Sequence, residues 1–205
     1  MKWLFAPLCA VSLLALCAPV LAQSVEQPGH QSPAPGTNNE VMSTVKDAAS
    51  VAVGSVSAAM TSTLGGFTDE AANLDMYEVE AARLAEARSH KDDIKAFADR
   101  MIQDHTATSD KLKSILTEIG SDVKPPAHLD DRRQGLIDDL KGAKDSDFDA
   151  RYVSQQVDVH REAKLLMDGY QKNGDVPQVK KFATATAPAV QSHLDMAEGL
   201  YKTYK

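Results

Sequence analysis

Apolar residues recur every three or four positions through most of the chain after residue 66, the spacing of one face of an α-helix. The stripe is clearest in the segment that begins near residue 92. Its inward face consists of Ile94, Phe97, Ala98, Met101, His105, Thr108, Leu112, Ile115, Leu116 and Ile119. Because His105 lies within this stripe, its ring is predicted to point into the core.

Three further segments show the same periodicity and are also predicted to be helices. With the segment just described, the predicted helices span about 68–89, 92–119, 147–170 and 177–204. Thr68 and Asp69 are the expected caps of the first helix, and Asp92 that of the second. Pro177 suits the first turn of the last helix, and Pro188 is expected to kink that helix locally.

Glycine and proline mark where the helices stop. Gly65-Gly66 is expected to break the chain before the first helix, Gly120 ends the second, and Asn173-Gly174 ends the third. Pro125-Pro126 prevents the second helix from continuing. The residues from Leu129 to Lys141 are predicted to form a short helix within a long crossover.

Two tightly turned helix pairs on either side of a long crossover predict an all-α fold. Residues 67–205 are therefore expected to form an antiparallel four-helix bundle, with the short helix in its crossover. Only 5% of the residues are aromatic, and alanine is abundant, which also favours helices over a β-sandwich or barrel.

Residues 1–22 have the pattern of a secretory signal peptide. Lys2 precedes a largely apolar run, and small residues stand before a predicted cleavage site after Ala22. A retained membrane anchor is the alternative, although Pro7 and Pro19 interrupt a run that is marginal for spanning a bilayer. Lipidation at Cys17 is disfavoured because Leu16 precedes it. The protein is expected to be periplasmic or secreted, without a stable membrane span after cleavage.

The region between the signal peptide and the bundle is predicted to have two parts. Residues 23–39 are rich in Pro, Gln and Ser and are expected to be a disordered linker. Residues 40–66 have weak helical periodicity and are expected to form a weak helix or arm. Both cysteines, Cys9 and Cys17, lie in the signal segment, so thiolate chemistry and disulfides are not expected in the mature chain.

The charge of the chain argues against a nucleic-acid partner. Its formal net charge is −7, its pI is about 5.3, and its basic residues are scattered among acidic ones. Self-association or a protein partner in the cell envelope is compatible with this composition.

Each of the four long predicted helices carries one ionisable residue near the middle of its apolar face. These residues are Glu78, His105, His160 and His193. Glu78 and His105 lie at similar distances from the turn that joins their helices. His160 and His193 lie about 14 and about 19 residues from the turn that joins their helices, so their axial positions match less well.

Three interpretations of these four residues remain open, and in one of them the four groups do not meet; the other two assign them a shared site. In the first, they bind a single metal ion, and three imidazoles with one carboxylate suit Zn, Cu, Ni or Fe better than Ca or Mg. In the second, they form a buried cluster of hydrogen bonds that fixes the register of the bundle without a ligand. Asp104 is expected at a helix flank, bonded to a neighbouring helix or solvent, and Glu80 is expected to pair with Arg83 or Arg88.

The chain resembles the bacterial exported family known as domain of unknown function 4142, from about Phe67 to Leu200. The motifs that carry the resemblance are Glu78-x-Glu80-x-x-Arg83-Leu84-Ala85, Phe97-Ala98-x-x-Met101-x-x-Asp104-His105, Phe148-Asp149-x-x-Tyr152-Val153, Gln156-Val157-x-x-His160, and Phe182-Ala183 with Pro188 and His193-Leu194. This resemblance implies a ferritin-like bundle and an exported location, but no established activity.

Enzyme activity is not the favoured interpretation. A ferritin-like di-iron site uses two Glu-x-x-His motifs, whereas Ile102, Val157 and Val190 stand three residues before the three histidines. No nucleophile with a recognisable base and no phosphate-binding loop is present. Two functions remain: an exported bundle that binds or senses a metal, and a structural or stress-related envelope protein that acts by protein contact.

Overall fold

A computed structural model describes residues 62–205 of the protein. The predicted signal peptide, the linker at 23–39 and most of the segment at 40–66 lie outside these residues. The described part is entirely helical and contains no strand, which confirms the all-α prediction. Its helices are α1 (Leu64–Arg88), α2 (Asp92–Glu118), α3 (Asp131–Gly142), α4 (Asp145–Asn173) and α5 (Pro177–Tyr204).

Contacts along α3 show that the crossover runs beside α1 in the same direction. Asp130, at the start of α3, donates its backbone N–H to Oδ1 of Asn73, in the first half of α1, over 2.8 Å. Beyond the end of α3, the carbonyl oxygen of Ala143 accepts a hydrogen bond of 2.7 Å from Arg88 at the end of α1. The crossover therefore carries the chain from one end of the bundle to the other.

The last two long helices then run down and up the bundle. At the lower end, Asp175 between α4 and α5 donates its backbone N–H to the carbonyl of Ser62, before α1, over 3.1 Å. At the upper end, the hydroxyl of Tyr204 donates to Oδ1 of Asp93 at the start of α2, over 2.7 Å. The helix order is thus up, down, down, up, and α3 connects the two halves.

The long helices form a closed ring of antiparallel neighbours. α1 packs against α2 and α4, and α5 packs against the same two helices. At the lower end of the core, the ring of Phe67 contacts Tyr170 and Phe182, with centroid distances of 4.3 and 6.1 Å. The predicted four-helix bundle with a helical crossover is confirmed. Each helix directs its apolar stripe toward the common axis.

The prediction that Gly65-Gly66 breaks the chain and that Thr68 caps the first helix is wrong. α1 begins at Leu64, and Oγ1 of Thr63 accepts a hydrogen bond from the backbone N–H of Gly66 over 3.2 Å. A glycine inside a helix costs about 1 kcal/mol relative to alanine. Packing offsets that cost because Phe67 and Thr68 are both fully buried.

Two smaller helix boundaries also differ from the predictions. The N-cap of α2 is Lys91, whose side chain makes no capping bond, so Asp92 lies in the first turn, where its charge complements the helix dipole. α4 begins at Asp145, ahead of the predicted start near 147. The stop at Gly120 is confirmed, since this residue has a φ of 65° and Ser121 donates back to Leu116 over 3.0 Å.

Pro188 lies inside α5, and the helix continues on both sides of it. None of the described helices combines the length with the apolar character that crossing a bilayer requires.

Candidate metal centre

Three histidines from three different helices meet in the middle of the bundle. His105 lies on α2, His160 on α4 and His193 on α5, and all three are buried. The ring centroids are 5.7 Å apart for His105 and His160, 5.5 Å for His105 and His193, and 5.4 Å for His160 and His193. The three rings therefore surround one small volume.

The mismatch in level expected for His160 and His193 does not keep them apart. The residues between Asn173 and Pro177 are not helical, so they do not displace α5 along the axis by a full helical rise each. Counting residues from the turn overstated the separation. The bundle brings both rings close to His105, with centroids 5.7 Å and 5.5 Å from that of His105.

One nitrogen of each ring is held by an acceptor outside the histidine cluster. Nδ1 of His105 donates to Oδ1 of Asp75, Nε2 of His193 donates to Oδ2 of Asp104, and Nδ1 of His160 donates to the backbone carbonyl of Gln156, each over 2.8 Å. Carboxylates and carbonyls only accept, so each bond fixes which ring nitrogen carries the proton.

In the neutral form of each ring, the opposite nitrogen keeps its lone pair. These atoms, Nε2 of His105, Nε2 of His160 and Nδ1 of His193, are buried and have no hydrogen-bond partner among the described residues. One ring nitrogen from each histidine lies within 4.8 Å of those of the other two. Nitrogens bound to one tetrahedral metal ion are roughly 3.3 Å apart, so small side-chain rotations would complete the site.

The structure brings Glu78 next to the histidines but not into this group. Oε1 of Glu78 lies 3.6 Å from Nδ1 of His160, the nitrogen that already donates to Gln156. The set of residues with metal-ligand spacing in the described part of the chain is His105, His160 and His193. Glu78 thus lies on the Nδ1 side of the His160 ring, whereas the nitrogen without a hydrogen-bond partner is Nε2.

Glu78 also belongs to a buried polar layer between α1 and α4. Both of its carboxylate oxygens, the hydroxyl of Tyr152 and the side-chain amide of Gln156 are buried, and none of these atoms makes a hydrogen bond of regular geometry among the described residues. Nearby, the hydroxyl of Tyr77 donates to Oε1 of Gln155 over 2.8 Å. Burial raises the pKa of Glu78 to about 7, although the charge of His105 and the amide of Gln156 act against this.

Burial and charge affect the three histidines differently. Burial and repulsion from His105 hold the pKa of His160 well below its usual value. Burial also lowers the pKa of His193, and Asp104 offsets only part of this. Burial acts in the same direction on His105, but the hydrogen bond and charge of Asp75 outweigh it and raise its pKa. Two of the three imidazoles are therefore neutral near pH 7, the form that binds metals.

Sequence reasoning missed Asp75. This residue is buried, and its two oxygens accept hydrogen bonds from His105 over 2.8 Å and from Oγ of Ser109 over 3.0 Å. The signal was present, because Asp75 precedes Glu78 by three positions and so lies on the inward stripe of α1. The expectation for Asp104 is confirmed, since it bonds a neighbouring helix through His193.

The expected partner of Glu80 is wrong. Oε1 of Glu80 pairs with Nζ of Lys141 on α3 over 2.9 Å. Arg88 instead pairs with Oδ1 of Asp145, the first residue of α4, over 2.7 Å. These partners lie in the crossover or directly after it, and a single sequence does not give the position of the crossover.

A small cavity lies beside the histidine centre. Its volume is about 30 Å³, room for roughly one or two water molecules. The lining residues are Ala71, Leu74, Asp75, Asp104, His105, Thr108, Ala163, Met167, Thr186, Ala189, Val190 and His193. His105 and His193 are buried, whereas Ala189 is exposed, so the cavity extends from the centre toward the surface.

The donor set fits a borderline transition metal. Three imidazole nitrogens suit Zn, Cu, Ni or Fe, and oxygen-preferring cations such as Ca and Mg are disfavoured. Metal-binding histidines usually donate their other ring N–H to a carboxylate or a carbonyl, and all three histidines here do so.

Comparisons with known proteins agree with this architecture. The model of a family described as "Domain of unknown function (DUF4142)" matches residues 49–200. The chain is also similar to the crystal structure of a DUF305 fragment from Deinococcus radiodurans, with 12% identity and a TM-score of 0.59 over 67% of this chain and 93% of that one. No curated protein matches the chain.

A second solved structure with the same fold is "CopM in the Cu(II)-bound form". It is 16% identical, with a TM-score of 0.58 over 70% of this chain and 98% of that chain. At such low identities, both likenesses establish a shared helical-bundle fold.

Proposed function

The chain belongs to the DUF4142 family of domains of unknown function, and we propose that it is an exported protein that binds one transition metal ion through His105, His160 and His193. The observation that carries this proposal is that three histidines with metal-ligand spacing each have one buried ring nitrogen without a hydrogen-bond partner among the described residues. Leaving such nitrogens without partners is costly in a core, and a metal ion would satisfy all three.

Copper(II) is the first metal to test. In imidazole sites, Cu(II) binds more tightly than the other divalent ions of the first transition series. The name of one fold neighbour, CopM in the Cu(II)-bound form, makes the same ion a natural choice. Zn(II) is the second candidate because it has the same preference for imidazole.

Glu78, predicted from sequence as a fourth ligand, supports the site through its charge in this proposal. Its carboxylate lies beside His160, and burial keeps its pKa near 7. A divalent cation nearby favours the ionised form. Binding should therefore release the proton of Glu78 and place one negative charge next to the cation.

Export is part of the proposal and rests on residues 1–22. A charged start, an apolar run and small residues before Gln23 form the pattern of a cleaved signal. Intact-mass measurement of the protein recovered from the periplasm tests it. A mass that includes residues 1–22, or a lipid adduct on Cys17, would contradict it.

The metal site is tested on protein purified without chelator or histidine tag. Elemental analysis and Cu(II) titration should give one ion per chain, and His105→Ala should lower the affinity at least about tenfold. His128→Ala is the matched control, because His128 is exposed in the crossover. Absence of bound metal would favour the alternative, a bundle that acts by protein contact and has a buried polar cluster.

A further inference from the structure

We propose that the cavity beside the histidine centre is the route by which the metal ion enters and leaves, and that Asp104 receives the ion at its mouth. This inference rests on the proposed function. It concerns a different property of the site, the rate at which the metal ion exchanges between the site and solvent.

The lining of the cavity changes from the inside outward. At its inner end lie His105 and His193, which are 5% and 2% exposed. At its outer end, Thr108 and Thr186 are half-buried and Ala189 is exposed. The cavity therefore reaches the surface between α2 and α5.

His160 does not line the cavity, although its ring lies 5.4 Å from that of His193. The ring of Phe97, 6.2 Å away, covers another side of His160. An ion that enters through the cavity would thus meet His105 and His193 first, and His160 last.

Residues that carry oxygen ligands lie along this route. The buried Asp75 and the half-buried Asp104, Thr108 and Thr186 contribute to the lining. Hydrated cations are attracted to carboxylates, and oxygen ligands replace lost water molecules at little cost. Deeper in the cavity, imidazole nitrogens then replace these oxygen ligands, and the soft or borderline ion gains the ligands it prefers.

Asp104 is the residue suited to receive the ion. Its side chain is 41% exposed, and Oδ2 accepts hydrogen bonds from Nε2 of His193 over 2.8 Å and from Nε of Arg100 over 3.2 Å. One carboxylate thus faces solvent and also holds a histidine of the centre. Its other oxygen, Oδ1, makes none of these bonds and is available to an arriving cation.

The experiment compares exchange rates with affinity. Ala189→Phe places a large side chain at the mouth and removes no ligand or hydrogen bond. Cu(II) association is followed by stopped-flow quenching of tyrosine fluorescence, because the one tryptophan, Trp3, lies in the predicted signal segment. Cu(II) release is followed by capture with excess EDTA.

Both rates should fall at least about tenfold in Ala189→Phe, while Kd stays within about threefold of wild type. Thr184→Phe, on an exposed position elsewhere on α5, is the matched control and should change neither rate. Thr186→Leu narrows the same mouth from within and serves as the second variant if Ala189→Phe folds poorly.

Unchanged rates in a folded Ala189→Phe or Thr186→Leu protein would overturn the route, and the metal site would stand. A weaker Kd with an unchanged association rate would overturn it too, because the change would then act on the site itself. If the wild-type protein binds no Cu(II), the proposed function fails first. The two failures are therefore distinguishable.

Discussion

Nδ1 of His105 donates a hydrogen bond of 2.8 Å to Oδ1 of Asp75, and this bond joins α2 to α1 beside the histidine centre. Both side chains are 6% exposed, so the pair is shielded from solvent. In the neutral ring the bond keeps the proton on Nδ1 and leaves the lone pair on Nε2, which is buried without a hydrogen-bond partner among the described residues. Asp75 is therefore a positioning residue for the proposed site.

Asp75→Asn should weaken Cu(II) binding by roughly 10–100-fold, because an outer carboxylate orients a metal-binding histidine and raises its basicity. Isothermal titration calorimetry measures the change. Asp69→Asn replaces an exposed aspartate on the same helix and should leave the affinity within about two- to threefold. Equal affinities of the two variants would show that Asp75 does not act on the site.

The histidines should differ in tautomer in the metal-free protein. His105 and His160 should carry the proton on Nδ1, whereas His193 should carry it on Nε2, because their acceptors lie on different sides of the rings. Long-range ¹H–¹⁵N NMR spectra at pH 8 distinguish the two forms. The same tautomer for all three rings would contradict the hydrogen-bond arrangement.

Stability of the metal-free protein should depend on pH through Glu78. Burial raises its pKa from 4.5 to about 7, so between these values the folded chain holds a proton that the unfolded chain loses. Stability contributed by the protonated acid is therefore full below about pH 4.5 and is lost as the pH rises to 7. The loss is roughly 3 kcal/mol.

Glu78→Gln cannot ionise and should escape this loss. Its stability relative to wild type should thus increase by roughly 3 kcal/mol between pH 5 and pH 8, measured by urea unfolding. Glu86→Gln, on an exposed position of α1, corrects for the removal of one charge. A Glu78→Gln difference that is the same at both pH values would show that the carboxyl is not desolvated.

Arg88 should stabilise the crossover. Its guanidinium donates to the carbonyls of Leu140 over 2.6 Å and Ala143 over 2.7 Å, and lies 4.5 Å from the ring centroid of Phe148. Arg88→Ala should lower the free energy of unfolding by roughly 1–3 kcal/mol, because these bonds involve a charged donor. Urea unfolding measures it, with the exposed Arg83→Ala as control. Equal losses in both variants would contradict the role of Arg88.

The sequence by itself determined the helices and the direction of their inward faces. Periodicity depends on local helix geometry. The inward faces that contain His105, His160 and His193 could therefore be predicted without tertiary information. Gly120 was also predictable as a stop, since a left-handed residue ends a helix whatever surrounds it. The continuation of α1 through Gly65-Gly66 was not predictable, because burial of Phe67 outweighed the local tendency of glycine to break a helix.

The tertiary structure alone decided which inward residues meet. Glu78 and His105 were both predicted on the inward faces of their helices. Helix rotation and packing nevertheless placed Glu78 beside Nδ1 of His160 and brought Asp75, not Glu78, into hydrogen-bond contact with His105. A periodic pattern gives the face of a helix but not its rotation by a few tens of degrees or its axial shift by a few ångströms. Contacts between side chains over 2.8 Å depend on those small displacements, and packing of all the helices together sets them.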